Sequence, residues 1–260
     1  MKNRVLIAGV GFNNVDRLEL IGLLDDAHAS GSKSQVCFVP ANSVMAARKS
    51  AEVAHAYQQS EFVICDGVPV RWASLLLGTP LKERITGFDF FPQFIRQCAN
   101  RKYSVFFLGA APGIADELVR VYQQQFPDLD VRGVYCPPMT ATFPYEENER
   151  MIQLINAAQP DVLFVSLTAP KQDAWIRQHW DRLHVKIAMG VGAAFSSEIG
   201  RIRRAPQWMQ SAGLEWLYRF LQEPRRLFRR YFIEAPPFIG LVIRQRLFQK
   251  HSSSSSQHAY

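Results

Sequence analysis

The sequence predicts an α/β protein, a Rossmann-like and mostly parallel sheet with helices on both faces, followed by a basic helical C-terminal appendage. Across residues 1–200, short runs of apolar and β-branched residues alternate with helix-length amphipathic stretches. Several of the short runs are apolar throughout, as strands buried on both faces must be. The charge changes abruptly after that. Residues 201–250 hold eleven basic and three acidic residues, a net of +8, whereas residues 1–200 hold 19 basic and 20 acidic.

In chain order, strands are expected at 4–8, 35–39, 62–65, 104–108, 131–134, 162–166 and 186–189. Helices are expected near 14–29, 43–58, 68–77, 88–100, 112–126, 146–158 and 170–181. Strand followed by helix, repeated, calls for parallel pairing through crossovers that cover both faces of the sheet. The expected organisation is an α/β body over 1–198, a basic amphipathic helical appendage over 199–250, and a low-complexity, disordered tail over 251–260.

With 260 residues, 48% of them apolar and 12% aromatic, the chain has the composition of a globular protein and not of a disordered or fibrous one. Its four cysteines show no C-x-x-C spacing, and no two of its six histidines lie four apart. Neither a zinc site nor a disulfide framework is expected, and a reducing compartment follows. The apolar run before Gly9 is too short for the core of an export signal. The best apolar stretch, 232–243, is interrupted by Glu234, Pro236 and Pro237, so no membrane-crossing helix is expected.

Ligands of parallel sheets bind beyond the carboxyl ends of the strands, which directs attention to the residues that follow each strand. Gly109 to Gly113 place a glycine turn and a proline at a helix start, leaving amides aimed outward in the way that holds a diphosphate. Gly11 belongs to a G-x-G whose third glycine is replaced by Asn14, so it reads either as a substrate turn or as a simple tight turn; Gly190 and Gly192 carry the same ambiguity. Asp66 ends an apolar strand and precedes Gly67. It is either a general base facing the cleft or the N-cap of the next helix. Asn42 either caps its helix or meets a ligand, and Gln172 is either a surface helix residue or a contact to a sugar hydroxyl. Asp128-Leu129-Asp130 has the form of a metal-binding D-x-D, but it lies in a helix-to-strand turn on the opposite rim, where aspartate is ordinary turn chemistry. No metal site and no cofactor are expected.

A series of ordered blocks resembles the WecG/TagA/CpsF family of bacterial glycosyltransferases, glycosyltransferase family 26. They begin with Asp66-Gly67-Val68-Pro69-Val70, Trp72-Ala73-Ser74 and Glu83-Arg84-Ile85-Thr86-Gly87-Phe88-Asp89. They continue through Leu108-Gly109-x-x-Pro112-Gly113, Ala169-Pro170-Lys171-Gln172-Asp173 and Gly190-Val191-Gly192-Ala193, and close with Arg203-Arg204-Ala205-Pro206 and Gly213-Leu214-Glu215-Trp216 through Arg219 to Arg226. Together they cover roughly residues 38–230.

The resemblance implies an inverting, metal-independent transfer of a hexose from a UDP-sugar to a polyprenyl-diphosphate-linked sugar, in surface-polysaccharide or exopolysaccharide assembly at the cytoplasmic face of the bacterial inner membrane. It implies Asp66 as general base, with Asn42 and Gln172 at the reacting centre. It further implies substrate contacts from Arg84, Asp89 and Lys171. The family's C-terminal piece docks over the site and touches the membrane, and Arg203, Arg204, Arg219 and Arg226 match its basic positions toward the substrate. One departure stands out. Two residues before Asn42 many members carry threonine, and here the position is Pro40, which has neither hydroxyl nor N–H. Any hydrogen bond that threonine makes is either absent or comes from elsewhere, with Ser43 the candidate, and the donor is left between glucose and N-acetylmannosamine types.

Arg225, Arg229 and Arg230 with Phe228 and Phe232 are expected to meet an anionic membrane surface, each exposed basic residue contributing about 1 kcal/mol there. Tyr231, Phe238, Ile239, Leu241 and Val242 would insert beside them, pack back onto the body, or make a subunit contact, so a homo-oligomer stays open. Two rival classes remain. A dinucleotide-dependent oxidoreductase would explain the glycine turns but needs the absent third glycine. A nucleic-acid-binding protein would explain the basic tail, but aromatic and apolar residues interleaved with arginine fit a membrane better, and no nucleic acid is expected.

Overall fold

A computed structural model describes residues 4–202, 205–206, 208–209, 214–222, 224–228, 232–233 and 236–255, without the side chains of 215, 219, 226, 227 and 250–255. Arg203, Arg204, Arg229, Arg230 and Tyr231 lie outside the described residues, as do the side chains of Arg219 and Arg226.

Six strands form one parallel sheet: β3 (Ser34–Val39), β4 (Phe62–Cys65), β5 (Val105–Gly109), β6 (Val131–Tyr135), β7 (Val162–Ser166) and β8 (Ile187–Gly190). Their order is β4-β3-β8-β7-β5-β6, parallel at every pair. The four inner strands are buried along nearly their whole length, which is why their sequences are continuously apolar and not alternating.

Alternate residues of each strand feed opposite cores. Val36, Phe38, Phe107, Phe164 and Met189 pack on one face against α1 (Arg17–Ala29), α5 (Gly87–Arg101), α6 (Ile114–Gln125) and α9 (Ala194–Glu198). On the other face, Cys37, Val39, Val63 and Cys65 meet α2 (Ala41–Ala47), α3 (Ala51–Gln59) and α4 (Val68–Leu76). Leu108, Leu163, Val165 and Ala188 meet α7 (Tyr145–Ala158) and α8 (Lys171–Gln178) on that same side. Local signals start these helices. Asp16 and Glu19 form a reciprocal capping box at α1, Thr86 caps α5, and Ser50 caps α3. The Ser50 cap divides the single helix expected at 43–58 into α2 and α3.

The first strand is a correction. Residues 4–8 do not join the parallel sheet. β1 (Arg4–Ile7) pairs antiparallel with β2 (Val10–Asn13) as a hairpin, and Ala8 (φ 49°) and Gly9 (φ 93°) make its two-residue turn. Two consecutive positive φ values in a two-residue loop fit a tight hairpin turn, which sends the chain straight back along its own strand. The hairpin guards the sheet edge: Asn13 Oδ1 accepts from Val63 N at 2.8 Å, occupying a ladder donor of the edge strand β4.

Beyond residue 200 the described helices are α10 (Glu215–Gln222), α11 (Pro224–Phe228) and α12 (Pro236–Ser255). α12 runs five residues into the segment expected to be a disordered tail; residues 256–260 lie outside the described part. It also decides among the alternatives for Phe238 and Val242, which pack back onto the body. They are 1% and 2% exposed and pack into the core that holds Val70, Ala73 and Leu77. Gln245 bridges to the hairpin, accepting from Ala8 N and donating to Leu6 O, both at 2.8 Å. Among the described residues no helix is long and apolar enough to cross a membrane.

Candidate active site

Adjacent strands β3 and β8 send the chain to opposite faces, into α2 and α9, and β7 returns it to the α2 side through α8. Such divergence opens a crevice beyond the strand ends. Four of the sequence-derived candidates lie on its rim: Asn42 after β3, Asp66 after β4, Gln172 after β7 and Gly192 after β8.

Asp66 is half-buried, and its backbone N–H continues the sheet by donating to Val39 O at 3.3 Å. The N-cap position of α4 belongs to Gly67, at φ 102°, ψ 149°. That backbone geometry explains the glycine and places Asp66 one residue before the cap. Ile85 N–H donates to Cys65 O at 3.0 Å, which stitches the segment from Arg84 to Gly87 onto the end of β4. The charges of both Asp66 and Arg84 act on the Cys65 thiol, which burial pushes up to about 12.

From there α5 enters. Thr86 Oγ1 accepts from Asp89 N at 3.1 Å and donates to Asp89 Oδ2 at 2.7 Å, so Asp89 completes the helix start. The next residue, Gly87, lies against β8: a Cβ there would stand 3.2 Å from Val191 O. Arg84 and the start of α5 are therefore held between the ends of β4 and β8.

Asn42 occupies the first turn of α2, two positions beyond Pro40, which takes the cap position without any side-chain cap bond. Asn42 is half-buried and is not a cap. Ser43, expected as a substitute for the missing threonine hydroxyl, is fully buried and faces inward, so it cannot reach a donor sugar.

Gln172 is neither a surface residue nor open to solvent; it is 2% exposed. Its Oε1 accepts from Gly192 N at 3.1 Å, while Ser166 Oγ donates to Gly192 O at 2.6 Å. The β8 end is thus clamped from both sides. Gly190 is glycine for lack of space, since a Cβ would stand 2.5 Å from Gln172 Nε2 and 2.6 Å from Asp173 Oδ1. Gly109 is likewise squeezed, 2.5 Å from Ser166 O by the same construction, at φ 103°.

Sequence reasoning missed the buried group behind this clamp. Asp173 is fully buried; its Oδ2 accepts from Tyr57 OH at 3.2 Å and its carbonyl from Gln35 Nε2 at 2.9 Å. Burial raises its pKa to about 8 against the opposing pull of Tyr57 and Cys37. The signal was its position beside Gln172 in the first turn of α8. Its folded pKa lies above the unfolded value of about 3.9. The folded state therefore holds an extra proton between the two, and the stabilisation present below pH 4 declines as pH rises toward 8. Asp173→Asn is expected to flatten that part of the stability profile, checked by urea midpoints at pH 5 and pH 8. An unchanged difference between the two pH values would show that Asp173 ionises normally.

Other candidates fall elsewhere. Gly11 pairs with Leu6 inside the hairpin and not after a sheet strand, so it is withdrawn as a rim residue; it lines a groove of about 370 Å3 with Arg4, Arg48 and Tyr57. Lys171 Nζ donates to Thr140 O at 2.6 Å and lies 3.7 Å over the Phe143 ring, tying α8 to the segment before α7. Gly113 caps α6 at φ 81°, but Asp116 and Glu117 already place negative charge in that first turn. Arg201 pairs with Glu117 at 3.0 Å at this corner. Asp130 pairs with Arg132 at 2.7 Å before β6, on the opposite rim. Among the described residues no group of three or more histidine, cysteine or acidic side chains is placed to hold a metal ion.

Arg225, Phe228 and Phe232 are exposed, and the Phe232 ring lies tilted by 31° against Phe228 with centroids 5.1 Å apart.

Residues 5–252 match the model of the glycosyl transferase WecG/TagA/CpsF family. Two relatives are each named N-acetylglucosaminyldiphosphoundecaprenol N-acetyl-beta-D-mannosaminyltransferase. The one from Bacillus spizizenii strain W23 is 30% identical over 202 residues, 77% of this chain and 73% of its own. The one from Staphylococcus aureus strain MRSA252 is 27% identical over 228 residues, 87% of each chain.

Proposed function

Because the chain belongs to the WecG/TagA/CpsF family of glycosyl transferases, we propose that it transfers a hexose, of glucose or N-acetylmannosamine type, from a UDP-sugar to a polyprenyl-diphosphate-linked sugar. The observation that carries this reading is Asp66. It is a half-buried carboxylate directly after β4, its charge and that of Arg84 both acting on Cys65, with Gly67 at the cap position of α4.

The acceptor hydroxyl oxygen attacks the anomeric carbon as the bond from that carbon to UDP breaks, and its proton passes to Asp66. Attack from the side opposite UDP inverts the configuration. Asn42 orients the sugar. Gln172 acts one step back, by fixing the Gly192 amide and so the shape of the β8 end. Negative charge grows on the departing UDP. Arg84, the amides of the Gly109–Gly113 turn, and Arg203 and Arg204 of the basic segment would meet it, arginine's planar fork being suited to a diphosphate. The transfer needs no metal. Arg225, Phe228 and Phe232, with Arg229 and Arg230, hold the enzyme peripherally to the anionic cytoplasmic face of the bacterial inner membrane, where its acceptor resides.

A donor screen tests the reading. Purified protein with a polyprenyl-diphosphate-linked N-acetylglucosamine acceptor is expected to transfer sugar from UDP-glucose or UDP-N-acetylmannosamine in EDTA. Transfer that appears only after magnesium is added would contradict the metal-free mechanism, and no transfer under either condition would contradict the donor assignment.

A further inference from the structure

We propose that the outer face of α4, continued by that of α12, is a lipid-contacting surface of the catalytic body itself, fitted to an anionic phospholipid bilayer. This rests on the reading that the acceptor is membrane-borne, and extends the contact from the C-terminal arginines to the helix that starts at the site.

The face is apolar where a solvent-facing helix should be polar. Val70, Ala73 and Leu77 hold the inner side of α4 in the core, yet Trp72, Leu75 and Leu76 on its outer side are 62%, 56% and 50% exposed. α12 adjoins it. Phe238 and Val242 share a core with Val70 and Ala73, and Arg246 Nη1 reaches Leu77 O at 3.4 Å, while Ile239, Ile243 and Leu247 stay about half exposed. Isolated exposed apolar residues are ordinary, but a patch built from two packed helices marks a contact surface.

Charge selects the occupant. No acidic residue occurs from Gly67 to Lys82 or after Glu234, whereas Arg71, Arg244 and Arg246 fall within those stretches; Lys82, at the edge, is paired with Glu19. A second copy of this face would set cation against cation, and an anionic headgroup layer complements it. Placement agrees. α4 begins two residues after Asp66, and its nine residues span about 14 Å at 1.5 Å each, so lipid against this face lies within one short helix of the candidate base.

The test reads position 75 directly. Cys37, Cys65 and Cys98 are buried, so Leu75→Cys in a Cys136→Ser background takes a nitrobenzoxadiazole label selectively. Leu18→Cys, on the exposed side of α1, is the control. With phosphatidylglycerol-containing vesicles, emission from position 75 is expected to rise severalfold and shift to the blue, with no change at position 18 or with pure phosphatidylcholine. The triple variant Trp72→Ser/Leu75→Ser/Leu76→Ser is expected to co-sediment with those vesicles at least about fivefold more weakly. Co-sedimentation with position 75 still in water would overturn the α4 contact and leave attachment through the C-terminal arginines standing. Absence of any co-sedimentation would overturn both. A lipid-independent blue shift that grows with protein concentration, alongside a dimer mass, would assign the face to a second copy instead.

Discussion

Asp66→Asn is expected to lower the transfer rate by about two to four orders of magnitude, the range that a positioned general base supplies. The amide has nearly the shape of the carboxylate but takes no proton. The backbone at this point is held by the Asp66 N–H donating to Val39 O, and Gly67, not Asp66, takes the cap position of α4. UDP binding measured by calorimetry is therefore expected to stay within a few-fold of the parent while turnover collapses. A variant that keeps a tenth or more of the parental rate would remove Asp66 as the base. One that loses UDP binding equally would make it a binding residue.

Phe238→Ala is expected to destabilise the protein by about 3–5 kcal/mol, the cost of emptying a fully buried phenylalanine site. Its ring is 1% exposed, in a core shared with α2, α4 and the hairpin. Its neighbour Ile239 faces outward at 57% exposure, so Ile239→Ala is expected to change stability by no more than about 0.5 kcal/mol. Urea unfolding of the two variants separates a helix that is part of the body from an arm that merely lies near it. Equal, small effects would show that α12 contributes no core.

The parallel sheet was legible because burial on both faces leaves an unmistakable signature: Val36–Val39, Phe62–Cys65 and Val162–Val165 have no polar residue to place toward solvent. Strand-end candidates followed from that: Asn42, Asp66, Gln172 and Gly192 follow four adjacent strands, and Gln172 accepts from the Gly192 amide. The hairpin was misread because a four-residue apolar strand looks the same in either setting; only the turn at Ala8-Gly9 distinguishes them. Local pattern could not separate the roles of neighbouring residues either. Gln172 and Asp173 are adjacent polar residues in one helical turn, and their burial is imposed by Tyr57 and Gly190, which are distant in sequence. The two sides of α12 posed a similar difficulty, since Phe238 and Ile239 are equally apolar and only tertiary packing against Val70 and Ala73 tells them apart.

The configuration of the glycosidic bond in the product bears on the whole mechanism at once. With an α-linked UDP-sugar as donor, the one-bond C1–H1 coupling of the new linkage, read by NMR on the isolated lipid-linked product, is expected to be that of a β-glycoside. An α-glycoside would mean that attack does not come from the side opposite UDP, and a single displacement driven by Asp66 would be wrong.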